Sequence, residues 1–180
     1  LQAKSVDNIQ GIQSALVKGA TNIVFVSSDD VVFLSDVIRI LYNTAGMSAK
    51  NKNYNIIMAT LDKGDAYDHN SISNSQLSAL KFTYPAANRY AGETNTFISK
   101  YFKTYKISPS KYAFRGFDLT MDAVLRTSLS GNFLKEANIG ETSYQENKFQ
   151  YIKNPSKGGG YENRAVYILR YEDLQISEIY

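Results

Sequence analysis

Three short apolar runs punctuate the first half of the chain: "IVFV" at Ile23–Val26, "IIMA" at Ile56–Ala59 and "LKFTY" at Leu80–Tyr84. The first two are continuous rather than alternating, the pattern of strands covered on both faces in a parallel sheet. A weaker strand is predicted at Ala3–Val6. Helical periodicity lies between the runs. Asp7 and Gln10 make a capping box ahead of Ile9, Ile12 and Leu16. Ser28, Asp29 and Asp30 supply N-caps to a second helix, whose Leu34, Val37, Ile38 and Leu41 fall at i, i+3, i+4 and i+7 and which Gly46 ends. Strands alternating with helices predict an α/β domain with a mostly parallel sheet and right-handed crossovers.

The second half reads differently. Ile98, Tyr101, Phe102 and Tyr105 form one helical stripe; Met121, Val124, Leu125 and Leu129 form another. The linker "KISPSKYAFRG" between them holds Pro109 and reads as a loop. Gly116 then permits a turn, Asp118 caps the second helix, Phe114 and Phe117 bury against neighbouring helices, and Arg115 pairs with Asp118 or Asp122. Three β-like runs close the chain: Phe149–Lys153, Ala165–Tyr171 and Leu174–Tyr180, expected as hairpins or a sheet edge, with Asn154–Asn163 as a flexible turn. The layout is read as one α/β domain over 1–180, with βα units at 1–92, a helical pair at 93–131 and C-terminal strands at 132–180.

Composition narrows the chemistry. The chain has 180 residues, 43% hydrophobic and 21% charged, enough for a real core and far from a disordered composition. Its net charge of +3 comes from interspersed charges without a Lys/Arg block, so no nucleic-acid footprint is expected. No apolar run reaches the roughly 18 residues a membrane span requires. The absence of cysteine removes disulfides, thiolate metal sites and cysteine nucleophiles. "SKGGGYEN" lacks the GxxxxGK[ST] phosphate-loop order and reads as a turn. His69, the sole histidine, lies in the polar loop "DKGDAYDHNS", a poor place for an oriented base. Asp62, Asp65 and Asp68 share that loop without an EF-hand pattern, so neither metal nor cofactor is expected. The remaining candidates sit where open α/β sheets bind ligands, beyond the carboxyl ends of strands. These are Ser27, Ser28 and Asp29 after "IVFV", and Asp62 and Tyr67 after "IIMA", with Tyr67 taken as an exposed aromatic lining a cleft.

The order of "NIVFVSSDD", "NYNIIMATLD", "LKFTYPA" and "TNTFISKYFKTYKISPSKYAFRGFDLTMDAVLRTSLSG" resembles the C-terminal half of type I periplasmic binding proteins, the class of the branched-chain amino-acid receptors. The motif is a Phe and a Tyr along a helix, a Pro, then a small-aromatic-Asp element; here Phe97, Tyr101 or Tyr105, Pro109 and Gly116-Phe117-Asp118, with Phe117 where the family has Tyr. The closing "GGGYENRAVYILRYEDLQI" is similar to the variant in bacterial binding-protein-like domains attached to peptidoglycan-binding LysM modules. The resemblance implies a three-layer α/β/α lobe with extra C-terminal antiparallel strands, a ligand cleft between two lobes, and a periplasmic or cell-envelope location. Leu1 is not a start Met, so a mature product or a fragment is expected, and the resemblance implies that the chain holds most of a C-terminal lobe. Three functions stay open: a non-enzymatic solute-binding domain for a small polar ligand such as an amino acid; a ligand-free scaffold for a cell-wall or envelope protein; and an α/β enzyme, which the single loop His and the missing G-x-S-x-G disfavour.

Overall fold

The computed structural model describes residues 4–5, 11–46, 54–90, 92, 95–158 and 160–179. The strand expected at Ala3–Val6 and the capping box at Asp7 and Gln10 lie outside these, save for Lys4 and Ser5, which belong to no element. The fold is mixed α/β, with a mostly parallel sheet and added antiparallel strands, and the chain forms two compact units: Leu1–Pro85 with Ile168–Tyr180, and Ala86–Tyr167.

The first unit runs α1 (Ile12–Ala15), β1 (Thr21–Phe25), α2 (Val31–Thr44), β2 (Asn55–Ala59), a 3₁₀ turn (Asp65–Asp68), α3 (Asn74–Ala79) and β3 (Thr83–Ala86), and receives β8 (Tyr167–Glu172) and β9 (Gln175–Glu178) from the chain's end. The sheet order is β1-β2-β3-β8-β9. β1 and β2 pair in parallel from Thr21↔Asn55 to Phe25↔Ala59, and β2 pairs parallel to β3 at Ala59↔Thr83. β8 and β9 form an antiparallel hairpin whose turn, Asp173 and Leu174, has both residues at positive φ (50° and 62°), the type I′ geometry that matches strand twist.

α2 forms as its periodicity predicts. Asp30 caps it, accepting from the Val32 and Phe33 amides at 2.8 and 3.1 Å, and Gly46 (φ 71°) follows its end. Leu34, Val37, Ile38 and Leu41 are buried with Ile56, Met58, Leu77, Leu80 and Phe82. β1 corrects the two-sided burial read from "IVFV": among the described strands it lies at the edge of the sheet, with Ile23 54% exposed and Phe25 65%. Only its Asn22 and Val24 side chains share a face with buried Ile56 and Met58. α3 was not predicted, because "NSQLSA" offers one buried apolar side chain, Leu77. Leu80, expected in a strand, is the C-cap of that helix.

The second unit holds α4 (Thr96–Tyr105), α5 (Lys111–Ser130), α6 (Phe133–Glu136) and two small antiparallel ladders. β4 (Thr142–Ser143) pairs with β5 (Lys148–Phe149), and β6 (Tyr151–Lys153) with β7 (Tyr161–Asn163). The stretch read as one flexible turn therefore contains β7 and a 3₁₀ turn at Pro155–Lys157.

α5 departs most from expectation. It starts at Lys111, capped by Ser110, so Gly116 and Asp118 lie inside the helix and Asp118 caps nothing. Its buried face is Phe114, Asp118, Asp122 and Arg126; Val124, Leu125 and Leu129 of the expected apolar stripe are exposed. Phe97 of α4 packs on Phe114 and Phe117 (ring centroids 5.0 and 4.5 Å), and this is the aromatic burial the sequence anticipated, with Phe117 half-buried.

Candidate functional site

The loop that leaves β1 divides its polar residues between two tasks. Asp30 is the helix cap, and the Ser28 hydroxyl accepts from the Asp30 amide at 3.1 Å, fixing the entry to α2. Ser27 and Asp29 are exposed and take no part in the capping.

The loop that leaves β2 is pinned from beneath. Thr60 is buried, its hydroxyl donating to the Asp62 carbonyl at 2.9 Å and accepting from the Asp62 amide at 3.3 Å. This local ring leaves the Asp62 side chain exposed. Tyr67 corrects the expectation of an exposed aromatic: it is buried, stacked on Phe82 at 4.8 Å, and donates its hydroxyl to the Val26 carbonyl at 3.1 Å. Burial pushes the Tyr67 phenol pKa up; the Thr60 hydrogen bond opposes the rise and the Asp29 charge adds to it. Phe82 also stacks on Tyr84 at 5.5 Å, so an aromatic floor underlies this edge of the sheet. Lys63 lies over the Tyr84 ring, 5.6 Å from its centroid, with its ammonium 2.5 Å from Asp68.

The two loops meet at Gly64. A Cβ there would stand 2.8 Å from the Asp29 Oδ1, so the absent side chain is what lets the second loop approach the Asp29 carboxylate. Ser27, Ser28, Asp29, Asp62 and the hydroxyl of Tyr67 thus belong to two loops that converge beyond the carboxyl ends of β1 and β2. Acceptors outnumber donors among their exposed groups, which suits a partner presenting hydroxyls or an ammonium. Thr60 and Lys63 lie in the 60–67 loop that the sequence points to, but neither is singled out there: a lysine after an aspartate in a polar loop looks solvated, and the Tyr84 ring together with Asp68 makes it otherwise.

The other candidates resolve locally. His69 is exposed, its Nδ1 2.8 Å from the Ser71 hydroxyl and accepting from the Ser71 amide, a turn rather than a relay. Among the described residues no cluster of three or more His, Asp or Glu is arranged to hold a metal ion, and no helix is long and apolar enough to cross a membrane. An open recess of about 340 Å³ lies at the opposite edge of the sheet, lined by Gln13, Lys18, Asn43, Thr44 and Tyr54. Gln13 bridges to Thr44 across it at 3.2 Å, and among the described residues Lys18 is the one charged group lining it, so the loops after β1 and β2 remain the better candidate.

In the second unit the expected Arg115 pairing is replaced by another. Arg126 donates Nε to both Asp122 oxygens at 3.0 Å, Nη1 to the Glu136 and Ala137 carbonyls, and Nη2 to the Gly140 and Phe149 carbonyls and the Thr142 hydroxyl. Its guanidinium also stacks 5.1 Å from the Tyr151 ring centroid. Asp122 accepts further from Thr142 (2.7 Å) and Tyr144 (3.1 Å). Asp118 accepts from the Gln145, Glu146 and Asn147 amides and from the Asn147 side chain, at 2.8–3.1 Å. All these groups are mutually satisfied, which is the chemistry of a structural clamp on residues 136–149 rather than of an open site. Neither a family model, nor a curated protein, nor a solved structure matches this chain.

Proposed function

We propose that the chain is a non-enzymatic solute-binding module of the bacterial periplasm or cell envelope, taking a small polar ligand at the loops after β1 and β2. The observation that carries this reading is the convergence of those loops at Gly64 over the Tyr67–Phe82–Tyr84 floor. Exposed Ser27, Asp29 and Asp62 accept hydrogen bonds from the ligand's hydroxyl or ammonium groups, Ser28 sets the loop, and Tyr67 holds it from below. The resemblance to type I periplasmic binding proteins agrees with this location and supplies the finer architecture, a lobe of a three-layer α/β/α type that closes over its ligand. No metal or cofactor enters the reading.

A thermal-shift screen of the full chain against amino acids, sugars, nucleotides and muropeptides tests it. A ligand that binds only the native state at a hundred times its Kd adds about 2.7 kcal/mol of stability. The double substitution Asp29→Asn with Asp62→Asn is expected to remove the shift while leaving the unliganded melting temperature in place. A flat response to every pool sinks the proposal.

A second reading, a ligand-free scaffold for a cell-wall or envelope protein, draws on the second unit: α5 exposes Tyr112, Leu119, Val124, Leu125 and Leu129. Recovery of a defined envelope partner that Leu125→Glu abolishes, together with a flat ligand screen, decides for it.

A further inference from the structure

The aromatic floor beneath the candidate site carries polar groups of its own. Tyr84 on β3 and Tyr171 on the neighbouring β8 both pack against Phe82, their ring centroids 6.1 Å apart. Lys63 lies over the Tyr84 ring and pairs with Asp68. All of these residues belong to the first unit. Tyr67, the other tyrosine of the stack, spends its hydroxyl on the Val26 carbonyl. Tyr84 and Tyr171 do not: each is buried, at 7% exposure, yet neither hydroxyl has a hydrogen-bond partner among the described residues. No buried side-chain oxygen or nitrogen among those residues goes unpaired, so the two hydroxyls are the points at which these rings reach the surface. Burial leads in raising the Tyr84 phenol to about 12, followed by the Tyr171 and Asp68 charges; burial and then Asp68 raise that of Tyr171. Both phenols therefore keep their protons at neutral pH, and both lie within the field of the Asp68 carboxylate.

We propose that the Tyr84 and Tyr171 hydroxyls, with Asp68 and Lys63, form a subsite for the hydroxyl groups of an uncharged polyol such as a sugar. The inference rests on the solute-binding reading above and narrows its ligand. Each phenol has a proton to give, Lys63 has only protons, and Asp68 has only lone pairs. A ligand hydroxyl donates and accepts at once, so it satisfies all three kinds of group. An ammonium brings no lone pair to the phenols or to Lys63. A carboxylate brings no proton to Asp68 and meets the charge of Asp62 in the same loop. Lys63 and Asp68 already neutralise one another, so the subsite has no net charge that calls for an ionic ligand. The stacked rings hold both hydroxyls in place before a ligand arrives, which lowers the ordering cost of binding.

Calorimetry of the full chain with neutral hexoses, pentoses and hexitols, with their soluble oligomers, and with amino acids and diamines tests the subsite. The expected result is saturable binding of a neutral polyol, free or as an oligomer, with an affinity unchanged by added salt because no charge is screened. The two forms separate a free sugar from a glycan end as the source of the same chemistry. The double substitution Tyr84→Phe with Tyr171→Phe keeps both rings and removes both hydroxyls, and is expected to weaken that binding about tenfold or more. Tyr84→Phe and Tyr171→Phe alone, each expected to lose part of that factor, carry the test if the double variant does not fold. Binding confined to amino acids or diamines overturns the subsite and leaves the solute-binding reading standing. Unaltered polyol affinity in a folded variant overturns it as well, and a flat response to every ligand overturns both.

Discussion

α2 and α5 present a contrast in how a helix is held. α2 turns Leu34, Val37, Ile38 and Leu41 inward, and each contributes by leaving water. α5 turns Phe114, Asp118, Asp122 and Arg126 inward, at a strict four-residue spacing, and three of the four are charged residue types. The first core is non-directional: side chains of similar shape and volume can be exchanged at modest cost. The second is directional. Arg126 gathers four backbone carbonyls, a hydroxyl and a carboxylate, and Asp118 gathers three consecutive amides, so irregular chain between residues 136 and 149 gains the partners that a helix or sheet would otherwise supply. A buried ion pair need not outperform an apolar core of the same volume, but losing one partner alone is costly.

That asymmetry is where the contrast can be broken. Arg126→Met strands Asp122 and four carbonyls and is expected to cost about 3–5 kcal/mol, read by denaturant unfolding, with amide exchange accelerated first at residues 136–149. A loss under ~1 kcal/mol would show that the clamp is ornamental. Leu34→Ala, in the apolar core, is expected to cost about 2–5 kcal/mol through lost transfer energy and a residual cavity, whereas Leu34→Met stays under about 1.5 kcal/mol. Equal damage from both would refute a shape-tolerant first unit.

Alkaline titration sharpens the comparison further. Desolvation is the leading cause that raises the pKa of Tyr84 to about 12, with Tyr171 and Asp68 adding to it; Tyr151 in the second unit reaches about 12 as well, through desolvation and then Asp122, against the pull of Arg126. The folded state holds these protons after the unfolded chain, near 10, has released them. The contribution is therefore complete below pH 10 and is lost as the pH climbs toward 12. The denaturation midpoint should fall over that window, and phenolate absorbance should emerge late for these rings. A midpoint flat from pH 9 to 12 contradicts the assignment. The smallest effect is expected at Leu125→Ser: the residue is exposed, so the change should lie within about 0.5 kcal/mol, and a core-sized loss would restore the apolar-stripe reading of α5.

The parts legible in the sequence were those whose cause is local. β1, β2 and α2 follow from short apolar runs and one periodic face, and the Ser28–Asp30 cap from its position ahead of that face. Legibility failed where the deciding partner lies far along the chain. Asp118 looks like a cap because Gly116 precedes it, yet its partners are the amides of 145–147. Tyr67 looks exposed because its neighbours are Asp and His, yet Phe82 and the Val26 carbonyl enclose it. The approach of Gly64 to Asp29 has no signature in either loop. Even the apolar stripe of α5 misled for this reason, since periodicity reports a face without saying whether anything covers it.

The first unit is completed by strands that arrive last. β3 ends at Ala86 and β8 begins at Tyr167, with the whole of the second unit's chain between them. Joining the two, as in the Tyr171 amide's bond to the Phe82 carbonyl, closes a long loop whose entropic cost rises only with the logarithm of its length. During synthesis the β1-β2-β3 segment emerges with one side of β3 uncovered until residues 168–172 leave the ribosome. A second unit that condenses first, around its own continuous segment, shortens the effective loop and brings that moment forward. On this order of events Arg126→Met is expected to slow refolding of the first unit as well as to destabilise the second, although Arg126 belongs to neither strand, and an unchanged stopped-flow refolding rate would show that the order is wrong.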